Sequence, residues 1–195
     1  MAEDEPLGVA VIIGSTRTGR FGPTAAEWFA ARARWHGGVR VDLVDLVDAG
    51  LPATLGDPDD DLPAQVRALA PRLAAADAFV VVTPEYNQSF PAPLKTAIDW
   101  FYTEWHAKPV GFITYGRESG GVLAAAQLRQ VFAELHAVAV PMAVSLPRYW
   151  EQFAADGSWP KPSAEANTTV MAMLDQLCWW ARALRDARLK HPYTA

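Results

Sequence analysis

Apolar and polar residues follow two periods along this chain, and the two periods alternate from one end to the other. Residues 78–82 (AFVVV) are uniformly apolar, which is typical of a parallel strand buried on both faces. Residues 39–46 (VRVDLVDL) alternate apolar and polar positions, as a strand at a sheet edge does. Other segments repeat apolar residues at helical spacing. Strands are predicted at residues 7–13, 39–46, 78–82, 110–115 and 138–146, and helices at residues 23–35, 62–75, 91–105, 121–136 and 163–189.

Five strands that alternate with five helices predict an α/β protein whose parallel sheet is covered by helices on both faces. Such sheets bind ligands beyond the carboxyl ends of their strands, where the strand order reverses. A chain of 195 residues suits a single domain, here residues 1–195. Within the second helix, Pro71 is expected to end or kink the helix.

Composition narrows the class of protein. A net charge of -5 gives no support to a partnership with nucleic acid or with an acidic membrane. No apolar run approaches the length of about 20 residues that spans a bilayer, and the acidic start lacks the pattern of a signal peptide, so we expect a cytoplasmic protein.

The one cysteine, Cys178, lies in a helical apolar pattern and is expected to be buried and inert. The four histidines lack ligand-like spacing, so we expect no metal site.

The loop at residues 14–22 (GSTRTGRFG) is the most informative stretch, because it joins the first predicted strand to the first predicted helix. Backbone N–H groups of such a loop converge with the helix N-terminus, where the helix dipole favours an anion. Hydroxyl groups and arginine side chains add charge-assisted hydrogen bonds that suit phosphate oxygens. The loop therefore indicates a cofactor that carries a phosphate. It lacks the Lys-Ser/Thr pair of a nucleotide-triphosphate loop and the pattern of a hydrolase nucleophile.

Two further loops follow the third and fourth predicted strands, at residues 83–89 (TPEYNQS) and 115–121 (YGRESGG). The first combines backbone amides, an aromatic ring and a side-chain amide, which suits a planar heterocycle with mixed donors and acceptors. Glycines in the second let the backbone approach a ligand closely. Each loop alone is weak evidence, but the three are expected at one edge of the sheet.

Together the three loops resemble the NAD(P)H-dependent FMN reductase family of flavodoxin-like proteins. The similarity covers roughly residues 7–146 and is most specific in PEYN and the P-x-x-L-K-x-A-I-D-W helix. It implies a flavodoxin-like three-layer sandwich with a five-stranded parallel sheet of order 2-1-3-4-5, FMN at the switch point, and NADPH or NADH as co-substrate. By the same resemblance, the cofactor-binding residues are Ser15, Thr16, Arg17, Arg20, Phe21, Gly22, Pro84, Glu85, Tyr86, Asn87, Ser119, Gly120 and Gly121.

The resemblance also assigns a place to each group of residues. Ser15 and Arg17, with help from Thr16, would hold the phosphate. Residues 84–87 would lie along the ribityl chain and the isoalloxazine, and residues 119–121 would border the pyrimidine end. Many members carry serine where this chain has Arg20 and asparagine where it has Gly22, so Arg20 either stands beside the phosphate or turns outward.

Two aromatic regions are left outside this assignment. For residues 147–162 three alternatives stand: a lid over the acceptor, part of an interface, or an ordinary surface loop. We favour the surface loop. Four rings crowd the end of the predicted helix at residues 91–105: Trp100, Phe101, Tyr102 and Trp105. One helix face cannot bury all of them on the sheet, so several are expected to be exposed unless a second chain covers them. The resembled family implies such a homodimer or a higher homo-oligomer; packing inside the chain is the alternative.

The resemblance implies an oxidoreductase in which the nicotinamide passes a hydride to FMN and a small acceptor then takes the electrons. The acceptor, whether a flavin, a quinone, an azo compound or a similar molecule, is not readable from a fold. No acid–base side chain is required, so we assign no catalytic residue. One alternative is a flavodoxin-type electron carrier, although Arg17, Arg20 and Arg117 on the expected rim argue against the strongly acidic surface of such carriers. Another is a flavin-free interaction protein with the same fold.

Overall fold

The computed structural model describes residues 5–57, 61–152 and 164–194. Its five strands form one parallel sheet in the order β2-β1-β3-β4-β5. The strands are β1 (Leu7–Ile13), β2 (Val39–Asp45), β3 (Ala78–Pro84), β4 (Pro109–Gly116) and β5 (Val138–Pro147). The predicted strand order is confirmed, and β2 lies at the sheet edge, as its alternating sequence indicated.

Helices cover both faces of the sheet. They are α1 (Gly22–His36), α2 (Leu46–Ala49), α3 (Ala64–Ala75), α4 (Ala92–Asp99), α5 (Val122–Glu134) and α6 (Ala164–Lys190). Alternate residues of each central strand face opposite cores, so that Val11 packs with α1 and α6 while Ile12 packs with α3 and α4. The short helix α2 was not predicted; Asp45 caps it by accepting a hydrogen bond from the Val47 N–H at 3.0 Å.

Helix α3 does not end at Pro71, contrary to one of the two expected outcomes, but continues to Ala75. Pro71 lies on the exposed face of α3. The apolar face stays in the core on both sides of the proline, with Leu69 only 4% and Leu73 only 1% exposed. Burial of that face holds the helix together across the missing backbone donor.

The predicted helix at residues 91–105 is too long, because α4 ends at Asp99 and a separate 3-10 turn spans Thr103–Trp105. This turn moves Trp105 into the core, where its ring lies 4.7 Å from that of Phe79 and its indole N–H donates to the Phe101 carbonyl at 2.8 Å. Phe101 is also buried, so the expectation that several rings would be exposed is wrong for these two. Tyr102, 53% exposed, is the ring for which that expectation is confirmed.

Candidate functional site

The loops after β1, β3 and β4 meet at the carboxyl edge of the sheet, as their order in the sequence predicted. Between them lies a cleft of about 530 Å³, here called the carboxyl-edge cleft. Its lining comes from four segments: Arg17, Gly19, Arg20 and Phe21; Pro84, Glu85 and Tyr86; Tyr115, Gly116, Arg117 and Glu118; and Tyr149 and Trp150. For the fourth segment, which follows β5, the sequence left three alternatives open, a lid over the acceptor, part of an interface and, as favoured, an ordinary surface loop.

The first loop brings backbone donors to one end of this cleft. Gly14 donates its N–H to the Val82 carbonyl at 2.9 Å, which holds the start of the loop between β1 and β3. Helix α1 then begins at Gly22, and its first turn has no side-chain cap and no acidic residue among the described residues. The free N–H groups and the dipole of this helix of 15 residues favour an anion at that point.

The hydroxyl and arginine side chains of this loop have different environments. Ser15 is fully buried and does not line the cleft itself, but its hydroxyl lies 3.1 Å from the hydroxyl of Tyr86, which does. Thr16 and Arg17 are exposed. Arg20 is held by Asp45 at the end of β2, with its Nη2 donating to Oδ2 at 2.5 Å. Arg20 nevertheless lines the cleft, and its buried Nε has no hydrogen-bond partner among the residues that the structure describes.

The second loop presents its residues on a tight turn. Tyr86 and Ser89 exchange two backbone hydrogen bonds, of 2.8 and 2.9 Å. Asn87 (φ 51°) and Gln88 (φ 66°) therefore both occupy the left-handed region, a costly conformation for residues with side chains. Gln127 of α5 holds this turn by donating to the Gln88 carbonyl at 2.9 Å. The turn leaves Tyr86 and Asn87 exposed, and of the two only Tyr86 lines the cleft.

Glu85 ties the second loop to the third. One of its carboxylate oxygens accepts from the Ser119 hydroxyl at 2.9 Å, and the other accepts from the Leu123 N–H at the start of α5 at 3.0 Å. A carboxylate at a helix N-terminus is well placed electrostatically. Glu85 and Ser119 are therefore brought together, and of the two only Glu85 lines the cleft.

Glycine is required at position 120 of the third loop. Gly120 has a φ of 60°, and a Cβ atom there would lie 2.2 Å from the Ser145 hydroxyl oxygen and 2.8 Å from the Pro147 nitrogen. The next residue, Gly121, also has a positive φ and packs closely on Thr114. The loop thus packs closely against β4 and β5, although residues 119–121 do not line the cleft.

An aromatic cluster forms the wall at the α1 side of the cleft. Phe21 stacks on Tyr149 with ring centroids 4.4 Å apart and meets Tyr115 edge to face at 5.1 Å. Tyr115 and Tyr149 contact each other at 5.2 Å. The sequence provided some indication of these residues, since Tyr115 was placed in the third loop and Tyr149 in an aromatic stretch. Both lie at least 94 positions from Phe21 in the sequence, so only the tertiary structure shows that the three rings pack together.

Tyr115 is 3% exposed, and burial raises the pKa of its phenol well above the usual value, so the hydroxyl keeps its proton. The Tyr86 phenol nearby raises this pKa further. Its Oη atom is one of the buried side-chain atoms that lack a hydrogen-bond partner within the described part of the chain.

The donors of the cleft fit a phosphate ester that carries a planar ring. An uncapped helix N-terminus, an exposed arginine and two buried donors without partners lie at the phosphate-loop end. A phosphate has three acceptor oxygens for such groups. Pro84, Tyr86 and Gly116 line other parts of the cleft, where a flat ring could lie.

Comparison with known proteins agrees with this chemistry. The family model described as NADPH-dependent FMN reductase matches residues 7–151. The chain belongs to this family. An NAD(P)H-dependent FMN reductase of Schizosaccharomyces pombe is 35% identical over 151 residues, which cover 72% of this chain and 74% of that protein. A 2-hydroxy-1,4-benzoquinone reductase of a Burkholderia species is 31% identical over 92% of this chain and 98% of that protein.

Among solved structures, the flavoenzyme NAD(P)H:acceptor oxidoreductase FerB from Paracoccus denitrificans superposes with a TM-score of 0.76. It is 27% identical in sequence, and the match covers 91% of this chain and 98% of FerB. The membership confirms the flavodoxin-like fold, an oxidoreductase activity, FMN as cofactor and NAD(P)H as co-substrate. The residue-by-residue assignment of the FMN reductase site remains a prediction.

Other candidate chemistries find no support in the described ranges. Residues 5–57, 61–152 and 164–194 contain no group of three or more His, Cys, Asp or Glu residues placed to hold a metal ion. No helix in those same ranges is long and apolar enough to cross a membrane. Cys178 is buried on α6, as predicted, and burial raises the pKa of its thiol.

Proposed function

We propose that this NAD(P)H-dependent FMN reductase holds FMN in the carboxyl-edge cleft and passes its electrons to a small quinone. The observation that carries the proposal is the meeting of three loops around the uncapped start of α1, where buried donors lack partners. FMN, when bound, supplies hydride acceptance from the nicotinamide and electron delivery to the acceptor. The protein contributes binding, orientation and the electrostatic surroundings.

The phosphate falls to the first loop. Arg17 supplies an exposed fork of donors, and Ser15 and Thr16 supply hydroxyls. The backbone N–H groups of Phe21, Gly22 and Thr24 supply the helix N-terminus, since Pro23 has none. Arg20 adds a cation beside this site, but Asp45 neutralises part of its charge. The role of Arg20 is therefore weaker than that of Arg17.

The second and third loops bind the isoalloxazine ring and the ribityl chain of FMN in this proposal. Pro84 and Glu85 form the floor, Tyr86 and Asn87 project from the left-handed turn, and the backbone at residues 119–121 borders the pyrimidine end. The bonds from Glu85 to Ser119 and to the Leu123 N–H hold these two loops at a fixed separation. A slot of constant width is what a flat ring needs, since positioning is the main contribution of the protein. We assign no catalytic side chain.

A quinone is the acceptor class that the relatives favour. The benzoquinone reductase of Burkholderia aligns with 92% of this chain, so the likeness extends through the cleft and beyond it. Tyr86 and Trp150, 37% and 52% exposed, offer aromatic faces at the cleft to a second flat molecule. Saturation kinetics with 1,4-benzoquinones, azo dyes and free FMN would rank these acceptors.

The proposal includes a cytoplasmic homodimer built from this single domain. Val122 and Leu123, 51% and 41% exposed, lie at the start of α5 beside the cleft, and Tyr102 exposes a third apolar surface. Apolar side chains at the surface of a fold are covered when a second copy packs on them. Sedimentation velocity should give a mass near twice the 21.3 kDa of one chain, and a monomer at all concentrations would refute the dimer.

The visible spectrum tests the function most directly. The purified protein is incubated with FMN, desalted and mixed anaerobically with NADPH or NADH. Retained flavin absorbance that bleaches on addition of the nucleotide supports the reductase. Retained flavin that does not bleach supports the alternative of an electron carrier reduced by another protein, and a protein that retains no flavin contradicts FMN binding in the cleft.

A further inference from the structure

We propose that the Tyr115 hydroxyl is an additional ligand of the FMN phosphate, donating a hydrogen bond to it from the floor of the carboxyl-edge cleft. This inference rests on the proposed function, because it assumes that FMN occupies that cleft. No residue of β4 itself was assigned to the phosphate from the sequence. The argument comes from the position of this hydroxyl and from its lack of a partner.

The hydroxyl lies at the start of helix α1. A Cβ atom built on Gly22 would stand 3.3 Å from Tyr115 Oη, so the phenol oxygen lies directly beside the first residue of the helix. The same Cβ atom would be 2.8 Å from the Ile13 Cγ2 atom, which leaves no space for a side chain at position 22. Tyr115 therefore brings a hydroxyl to a place that residue 22 cannot serve with a side chain of its own.

The hydroxyl is also out of reach of bulk water. Tyr115 is 3% exposed, and Oη forms no hydrogen bond of acceptable geometry with any described residue. A buried hydroxyl without a partner is costly, and such atoms are rare in folded proteins. The Ser15 hydroxyl and the Gly22 backbone lie near enough to lower the phenol pKa slightly, yet burial dominates and keeps the proton on the oxygen. The group is thus a protonated donor that faces the helix N-terminus.

Three hydroxyls, two from loops and one from a strand, lie near one another at this point. Ser15 follows β1, Tyr86 follows β3, and Tyr115 ends the buried part of β4. Ser15 and Tyr86 bond each other at 3.1 Å, whereas Tyr115 remains without a partner. The uncapped N–H groups of α1 attract an anion to the same place. A phosphate oxygen there would satisfy the helix N–H groups and the Tyr115 hydroxyl together.

The test compares Tyr115→Phe with the unaltered protein in titrations with FMN and with riboflavin, which lacks the phosphate. Phenylalanine keeps the ring contacts with Phe21 and Tyr149 and removes only the hydroxyl. We expect the FMN dissociation constant to rise about tenfold or more, as for a hydrogen bond to a charged group, while the riboflavin constant stays unchanged. The apoprotein Tm should stay the same or rise, because the variant buries no unpaired hydroxyl.

Tyr102→Phe is the matched control, since Tyr102 is 53% exposed and does not line the cleft. It should bind both flavins as the unaltered protein does. An independent reading uses inorganic phosphate alone, which should raise the apoprotein Tm less in Tyr115→Phe than in the unaltered protein. This measurement needs no flavin and no turnover.

Two results overturn the role of Tyr115 while the proposed function stands: an unchanged FMN constant in Tyr115→Phe, or equal weakening of FMN and riboflavin. Equal weakening would mean that the substitution affects binding of the flavin ring rather than binding of the phosphate. If the unaltered protein binds neither flavin, the proposed function fails, and the inference fails with it.

Discussion

The two edges of the central sheet handle polar groups in opposite ways. At the amino edge, Asp77 accepts the Gly8 N–H at 2.9 Å and lies within 3.5 Å of an Arg185 nitrogen and 3.7 Å of an Arg188 nitrogen. Lys108, next to β4, donates to two carbonyls at the end of α3 at 2.8 and 2.9 Å. The polar groups at this edge have partners inside the chain, whereas at the carboxyl edge buried donors of Arg20 and Tyr115 lack partners in the described ranges.

This difference indicates that the residues that stabilise the fold and the residues that bind a ligand lie at opposite edges of the sheet. Buried charges that are paired tie the strand starts to α3 and α6, and their loss costs folding free energy. Unpaired donors at the strand ends lower the stability of the empty protein and are satisfied when an anion binds. A substitution at the amino edge should therefore change stability, and one at the carboxyl edge should change affinity.

The largest effect is expected at Arg17. Arg17→Ala should weaken FMN binding by about 2–4 kcal/mol, because it removes charge-assisted hydrogen bonds to the phosphate. Titration of the apoprotein with FMN, followed by flavin fluorescence, measures this change. Arg17 is exposed, so the free energy of unfolding of the apoprotein should be unaltered. An unchanged FMN constant would refute the assignment.

Lys108, at the amino edge, should make the free energy of unfolding depend on pH. Burial and the nearby charge of Arg188 together lower its pKa from 10.5 to about 8, against the opposing charges of Asp77 and Glu104. Between these two values the unfolded chain holds a proton that the folded chain has released, so the free energy of unfolding should rise with pH in that window. The rise attributable to this group is about 3 kcal/mol.

Chemical denaturation of the unaltered protein and of Lys108→Met at several pH values from 7 to about 11 measures this difference. The variant should lack the rise that Lys108 causes, and FMN affinity at pH 7 should be the same in both proteins. Parallel curves for the two proteins would show that Lys108 titrates normally.

Asp77→Asn should lower the free energy of unfolding by about 2 kcal/mol, since it removes the carboxylate that two partly buried arginines share. The side chains retain 15–22% exposure, which moderates the loss below that of a fully buried pair. FMN affinity of the folded protein should not change. A variant as stable as the original, but weaker in FMN binding, would contradict the separation of the two edges.

The smallest effect is expected at Asp45. Asp45→Asn should tighten FMN binding by about 0.5–1 kcal/mol, because it removes a negative charge near the phosphate and frees Arg20. Asparagine still caps α2 well, so the fold should be retained. Riboflavin serves as the control and should bind equally to both proteins. Weaker FMN binding would instead indicate that Asp45 positions Arg20 for the phosphate.

Much of the fold could be read from the sequence because its signals are local. The first strand was predicted with its observed bounds, and the others to within a few residues, since each is a short apolar run between turn residues. The helix at residues 91–105 was the main error. Its periodicity continues through Trp100, but the break at Asp99 is decided by the burial of Trp105 against Phe79, a contact between distant residues.

The candidate site, too, could be predicted only in part from the sequence. Its three loops were predicted from their composition and from their positions after β1, β3 and β4. Tyr149 was not assigned, because its place against Phe21 depends on how the segment after β5 returns to the start of α1. Residues 153–162 of the loop predicted at residues 147–162 lie outside the described residues, so the alternatives for that part remain predictions.

The sequence by itself determined the order of strands and helices, the parallel sheet, the three site loops and the resemblance to flavin reductases, since periodicity and turn chemistry act over a few neighbouring residues. Only the tertiary structure decided that Arg20 pairs with Asp45 and that the Tyr115 hydroxyl has no partner. Pairing and burial depend on residues that are far apart in the chain and meet only when the sheet and its helices have packed.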